Sequence, residues 1–141
     1  MVLASCSPAA AQSPAQPPGP TPSPLAADQL ARGEALYQAN CQACHGDAPT
    51  GEGALPGVPV HGPAGHTWHH SDRNLTEIIL IGSGQIGQMM REMMGTPADT
   101  PRMPAWRGKL SDEDIAAILA YIKAGWTPEQ RRLQQETPMM R

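Results

Sequence analysis

Leu30, Gly33, Tyr37 and Cys41 recur at spacings of three and four, which marks one face of a helix that Asp28 can cap and that runs to about Asn40. The stripe ends on a cysteine. From residue 46 to 68 the density of Gly, Pro and His excludes regular structure and predicts a long loop, and long loops inside compact domains usually wrap something. A second helix is predicted over Asp72–Ile81, with Leu75, Ile78 and Ile79 inward and Gly82 as its stop. Residues 85–94 suit a third, closed by Gly95 and then by Pro97 and Pro101. The clearest helix comes next. Ser111 with Asp114 three positions on resembles a capping box, acidic residues fill the first turn, and Ile115, Ile118, Leu119 and Ile122 follow the i, i+3, i+4, i+7 rule up to Gly125. Thr127-Pro128-Glu129-Gln130 reads as one more helix start, and its polar sequence predicts a surface helix. No segment alternates with period two, so the expected fold class is all-α.

Composition sharpens this picture. The 141 residues leave room for one domain, and the chain has no Phe, two Tyr and three Trp against 16 Pro and 14 Gly. Such a domain buries a modest core of its own. A large apolar group at its centre would supply contact area that side chains supply poorly. The formal charge of −3 shows no Lys/Arg cluster of the kind that phosphate backbones demand, which excludes nucleic acid as a partner class. The longest apolar run, from Ile78 to Ile81, is far below the span of a bilayer.

At the N-terminus, Leu3-Ala4-Ser5-Cys6 resembles the bacterial lipobox, which implies a lipid anchor on Cys6. Residues 7–25 then carry Pro8, Pro14, Pro17, Pro18, Pro20, Pro22 and Pro24 among Ala, Ser and Gln. A segment of this kind cannot form a core and is expected to be an extended tether of about 3 Å per residue. Membrane contact would come only through that anchor.

The chemistry is concentrated in Cys41-Gln42-Ala43-Cys44-His45, the C-x-x-C-H pattern of covalent haem attachment. On a helical turn residues three apart share a face, so two thiols can reach the two vinyl groups of one porphyrin while the next imidazole reaches the iron. A thioredoxin-type dithiol needs no following His and belongs between a strand and a helix. Zinc is the more serious rival, because His61, His66, His69 and His70 could complete a Cys2His2 set. For the second iron ligand the candidate is Met103, which precedes Pro104 and sits in a Pro-rich loop before the last core helix. A thioether there favours ferrous iron and raises the potential.

Gly33-Glu34-Ala35-Leu36-Tyr37, Cys41 to Gly46, Met103-Pro104-Ala105-Trp106 and Leu110 to Lys123 together resemble the successive signatures of the class I cytochrome c family. The resemblance implies an all-α fold around one covalent haem c, with axial His45 and Met103. It also implies closely crossing terminal helices, where Gly33 and Tyr37 would meet Ile118 and Tyr121. A backbone carbonyl, from Pro56 or Pro59, would accept the Nδ1 hydrogen of His45. The implied function is to carry single electrons, without catalytic turnover, between redox proteins outside the cytoplasm, such as a membrane oxidase, reductase or dehydrogenase. The domain plan is then a residual signal and lipobox at 1–6, a tether at 7–25, the cytochrome domain at 26–126 and a surface helix and tail at 127–141.

Two clusters stand apart from this pattern. Gly65-His66-Thr67-Trp68-His69-His70 resembles a stretch found in a subgroup of bacterial monohaem cytochromes, and reads as a packed loop with solvated imidazoles, a second metal site, a propionate contact from Trp68 or a His, or an alternative iron ligand in another state. Met89, Met90, Met93 and Met94 pair at i and i+4, which reads as adaptable packing or as soft ligands for cuprous copper. Two rival functions follow: a haem-based sensor or peroxidase-like enzyme with a displaceable Met103, and a copper-handling protein that uses the Met and His clusters.

Overall fold

The strongest local signal in the chain, the Ser111 start, is realised in full in a computed structural model that describes residues 24–84, 88, 89, 92, 93, 95 and 99–136. The Ser111 hydroxyl accepts the Asp114 N–H at 3.1 Å while the Asp114 carboxylate accepts the Ser111 N–H at 3.0 Å. Two backbone donors that a helix start leaves orphaned are thereby partnered. That N–H, together with the Arg32 guanidinium 2.7 Å away, holds the Asp114 carboxyl below the usual carboxylate range.

The described helices are α1 (Pro24–Asn40), α2 (Gln42–His45), α3 (Asp72–Ile81), α4 (Asp112–Ala124) and α5 (Pro128–Glu136), with a 3-10 turn at Thr67–His69. No strand occurs among the described residues, which is the all-α architecture expected. None of these helices is long and apolar enough to cross a membrane. Gln88, Met89, Glu92 and Met93 are helical, and the rest of the helix expected at 85–94, except for those four, lies outside the described residues. So do residues 1–23, with Cys6 and most of the expected tether.

Helix α1 starts at Pro24, so Asp28 lies inside it, exposed, and is not its cap. Proline is tolerated in the first turn of a helix, where its missing N–H leaves no bond unmade, so Pro24 does not prevent the helix from running N-terminal of the polar residue. The core forms where α1 crosses α4. Tyr37, Ile115 and Ile118 are essentially inaccessible, with Leu75, Leu119, Ile122 and Trp126 closed around them. At the crossing a Cβ on Gly33 would lie 2.0 Å from the Ala117 carbonyl oxygen and 3.0 Å from the Tyr121 Cβ. Only a hydrogen fits there. The expected partner Tyr121 is in place, its ring 5.6 Å from that of Tyr37 and its Cβ against Gly33, and the closest approach to Gly33 is the Ala117 carbonyl.

Helix α3 has the predicted bounds. Ser71 caps its start by accepting the Asn74 N–H at 3.3 Å. Leu75 is buried and Ile79 packs on the core, but Ile78, expected inward, is 38% exposed. Leu75 and Ile79 are one turn apart on the same line, while Ile78 flanks that line on the side of exposed Ile81. The last helix also departs from expectation. Thr127 and Gln130 cap each other reciprocally at 3.1 Å, as the sequence suggests, yet Gln134 is buried. Its amide donates to the His70 carbonyl at 3.2 Å and to Asp72 at 2.6 Å, and the Gln130 amide donates to the Pro63 carbonyl at 2.9 Å. The polar face is therefore a docking face, satisfying loop carbonyls that would otherwise be stranded.

Gly33→Ala is expected to destabilise the haem-loaded protein by about 1–3 kcal/mol, because the overpacking at Ala117 outweighs the better helix propensity of alanine. Denaturant unfolding measures it. An unchanged or raised midpoint would show that the two backbones can separate freely.

Candidate functional site

The Cys41-to-His45 segment turns back on itself directly after α1. The N–H groups of Cys44 and His45 both donate to the Cys41 carbonyl, at 3.1 and 3.0 Å, and the Tyr37 hydroxyl donates to the Gly46 carbonyl at 3.0 Å just beyond. One helical turn thus holds both thiols and the imidazole. Cys41 and Cys44 are half-buried or near the surface and are not joined in a disulfide. Burial, reinforced by the neighbouring Cys44, pushes the Cys41 thiol up to about 11. A thiol held protonated is a poor exchange nucleophile.

His45 is buried, and its Nδ1 lies 2.7 Å from the Pro59 carbonyl oxygen, to which it donates. Pro59, rather than Pro56, is therefore the carbonyl partner. Two successive turns bring it there, with Gly51 N–H on the Asp47 carbonyl at 2.7 Å and Leu55 N–H on the Cys44 carbonyl at 2.9 Å. Burial pushes the imidazole pKa down, partly opposed by the Pro59 bond. With Nδ1 committed as donor, Nε2 keeps one lone pair for a metal.

The rival zinc set does not assemble. Among the described residues no group of three or more His, Cys, Asp or Glu side chains could hold a metal ion. The four loop histidines are split among different neighbours: His61 stacks on His45, His66 meets His70 edge-on at 5.5 Å, and His69 stacks on Trp68 at 3.6 Å. Within the stretch at 65–70 the Trp68 indole N–H donates to the Gly65 carbonyl at 2.9 Å, Thr67 is buried, and His66 and His69 are exposed. His61 is the neighbour that sequence reasoning assigned elsewhere. Its only linear signal is its position two residues after Pro59.

Met103 is half-buried, whereas Met89 and Met93 are 66% and 79% exposed and Met90 and Met94 have no described side chains. Its backbone is clipped to the end of α3: Met103 N–H donates to the Ser83 hydroxyl and Ser83 N–H to the Met103 carbonyl, each at 2.9 Å. Trp106 and Arg107 add bonds to the Ile79 and Leu80 carbonyls. Gly82, at φ 63°, makes room for this clip, since a Cβ there would lie 2.6 Å from the Met103 carbonyl oxygen.

Two thiols not joined in a disulfide and an imidazole with a single free lone pair lie on one turn, donors whose chemistry fits a covalently attached haem. The family model described as Cytochrome c matches residues 30–126. The chain is similar to cytochrome c-554(547) of Halothiobacillus neapolitanus, 33% identical over 68% of this chain and 96% of that protein. It is similar to cytochrome c6 of Chlorolobion braunii, 29% identical over 66% of this chain and 86% of that one. It also resembles subunit CcoP of a cbb3-type cytochrome c oxidase from Azospirillum sp. (strain B510), 29% identical over 68% of this chain but 28% of the subunit. No solved structure matches. The chain belongs to the cytochrome c family; its cofactor is covalent haem c and it is an electron-carrying haem protein.

Gly82→Ala is expected to loosen the Met103 clip and lower the stability of the haem-loaded protein by about 1–3 kcal/mol, since it combines a left-handed φ with a backbone clash. Thermal and urea melts read this. A wild-type midpoint would show that the loop does not depend on Gly82.

Proposed function

We propose that Cys41 and Cys44 would hold a single haem through thioether bonds, that His45 Nε2 and Met103 Sδ would ligate its iron, and that the protein shuttles single electrons without turnover of its own. The observation that carries this reading is the His45 to Pro59 bond at 2.7 Å, which leaves one ring nitrogen of a buried imidazole aimed for coordination beside two unjoined thiols. When bound, the haem supplies one-electron iron chemistry. The chain's own residues keep the two ligands still. Pro59 fixes the imidazole tautomer, and the reciprocal Ser83 and Met103 bonds fix the thioether loop. With both ligands supplied by anchored backbone, little has to move when the charge on the iron changes. This favours transfer over ligand chemistry.

The place of work is outside the cytoplasm, in the periplasm or at the outer face of the bacterial cytoplasmic membrane. The lipobox-like residues ending at Cys6 and the Pro-rich stretch after them support a lipid-anchored, tethered form. Likeness to an oxidase subunit supports a membrane oxidase as one electron acceptor, beside reductases or dehydrogenases as donors.

The test is the near-infrared thioether-to-iron charge-transfer band of the ferric protein. It is expected in wild type and lost in Met103→Ala. High-spin iron in the native protein would overturn the carrier reading and support a sensor or a peroxidase-like enzyme with an open iron site.

A further inference from the structure

The His45 to Pro59 hydrogen bond fixes one atom of the proximal imidazole, but a single bond leaves the ring able to turn about it. A second contact removes that freedom. The His61 ring lies over the His45 ring with centroids 4.3 Å apart and planes 28° from parallel, an offset stack of two flat groups. We propose that His61 is a positioning residue that sets the plane of the proximal imidazole and shields its face from water. The proposal rests on His45 being the proximal ligand.

His61 is itself held from three directions. Its Nδ1 lies 3.1 Å from the Thr67 hydroxyl oxygen, and that hydroxyl donates to the Val60 carbonyl at 3.3 Å. A hydroxyl has one proton, so while it donates to the Val60 carbonyl its oxygen accepts from His61, an arrangement that selects the Nδ1–H tautomer. Thr67 is buried, so this bond is sheltered from exchange with solvent. The Tyr37 ring meets the His61 ring edge-on at 5.9 Å and 77°, which ties it to α1. The Trp126 indole N–H donates to the His61 carbonyl at 2.7 Å, which ties it to the residue just beyond α4. Two parts of the helical core and the 3-10 turn therefore converge on one residue, Tyr37 and Thr67 on its ring and Trp126 on its backbone, and the ring faces the proximal ligand.

An aliphatic residue could fill this space. It could not both lie flat on an imidazole and donate to the Thr67 oxygen.

The plane of an axial imidazole directs the unpaired electron of low-spin ferric iron, so it controls how far the haem methyl resonances spread. Shielding from water disfavours the more highly charged ferric state. His61→Ala in haem-loaded protein is therefore expected to change the methyl shift pattern and lower the midpoint potential. His61→Phe, which keeps a flat ring, is expected to restore most of both. Thr67→Val, which keeps both rings and frees the His61 N–H, is expected to move the shifts part of the way, and it decides the matter if His61→Ala fails to load haem. Wild-type shifts and potential in all loaded variants, with only a lower melting temperature, would make His61 mere packing and overturn the proposal. A wild-type spectrum without His45 ligation, checked by His45→Ala, would instead overturn the ligand assignment itself.

Discussion

The contact of α1 with α4 at Gly33 and Ala117 governs the positions of everything that follows. Because the two backbones touch with no side chain between them, Tyr37 one turn later is driven into the core against Tyr121. Its hydroxyl then reaches the Gly46 carbonyl, immediately after His45. The chain of constraint is short. A helix crossing fixes a tyrosine, the tyrosine fixes the end of the Cys41-to-His45 turn, and the turn presents two thiols and an imidazole together. Burial makes the Tyr37 hydroxyl a costly group to leave unpaired, which strengthens its hold on that carbonyl.

A second constraint acts on Met103, the proposed second ligand. The end of α3 is both a helix stop and a cradle, since Gly82 terminates the helix and makes room for the Met103 backbone. The loop at 103–107 borrows carbonyls of Ile79 and Leu80 from the last turn of α3, groups that a helix end leaves without intrahelical donors. The two halves of the donor set are thus each attached to a helix terminus by backbone hydrogen bonds. Rigid attachment of this kind suits a site whose geometry has to be the same before and after an electron passes.

Much of this was legible in the residues. The C-x-x-C-H spacing, the Ser111 capping box and the bounds of α3 are local signals, written within five to ten residues and read by side chains close in sequence. What was not legible depended on contacts across the chain. Asp28 has the chemistry of a cap, but the helix already includes Pro24, four residues before it. Pro56 and Pro59 offer the same carbonyl, and only the two turns clipped to Cys44 choose between them. The polar sequence of α5 looks solvated because hydropathy cannot tell a glutamine facing water from Gln134 facing the His70 carbonyl. His61 reads as a metal ligand by residue type and becomes a stacked neighbour only once Thr67 and Trp126 are in place.

Covalent attachment at Cys41 and Cys44 is the premise on which the ligands and the carrier function both rest. The most direct measurement is the peptide-mapped mass of protein matured by a c-type assembly system and then extracted with acidified organic solvent. Retention of one haem on the peptide that spans Cys41 and Cys44 is the expected result. An unmodified peptide, with the pigment released into the solvent, would contradict it.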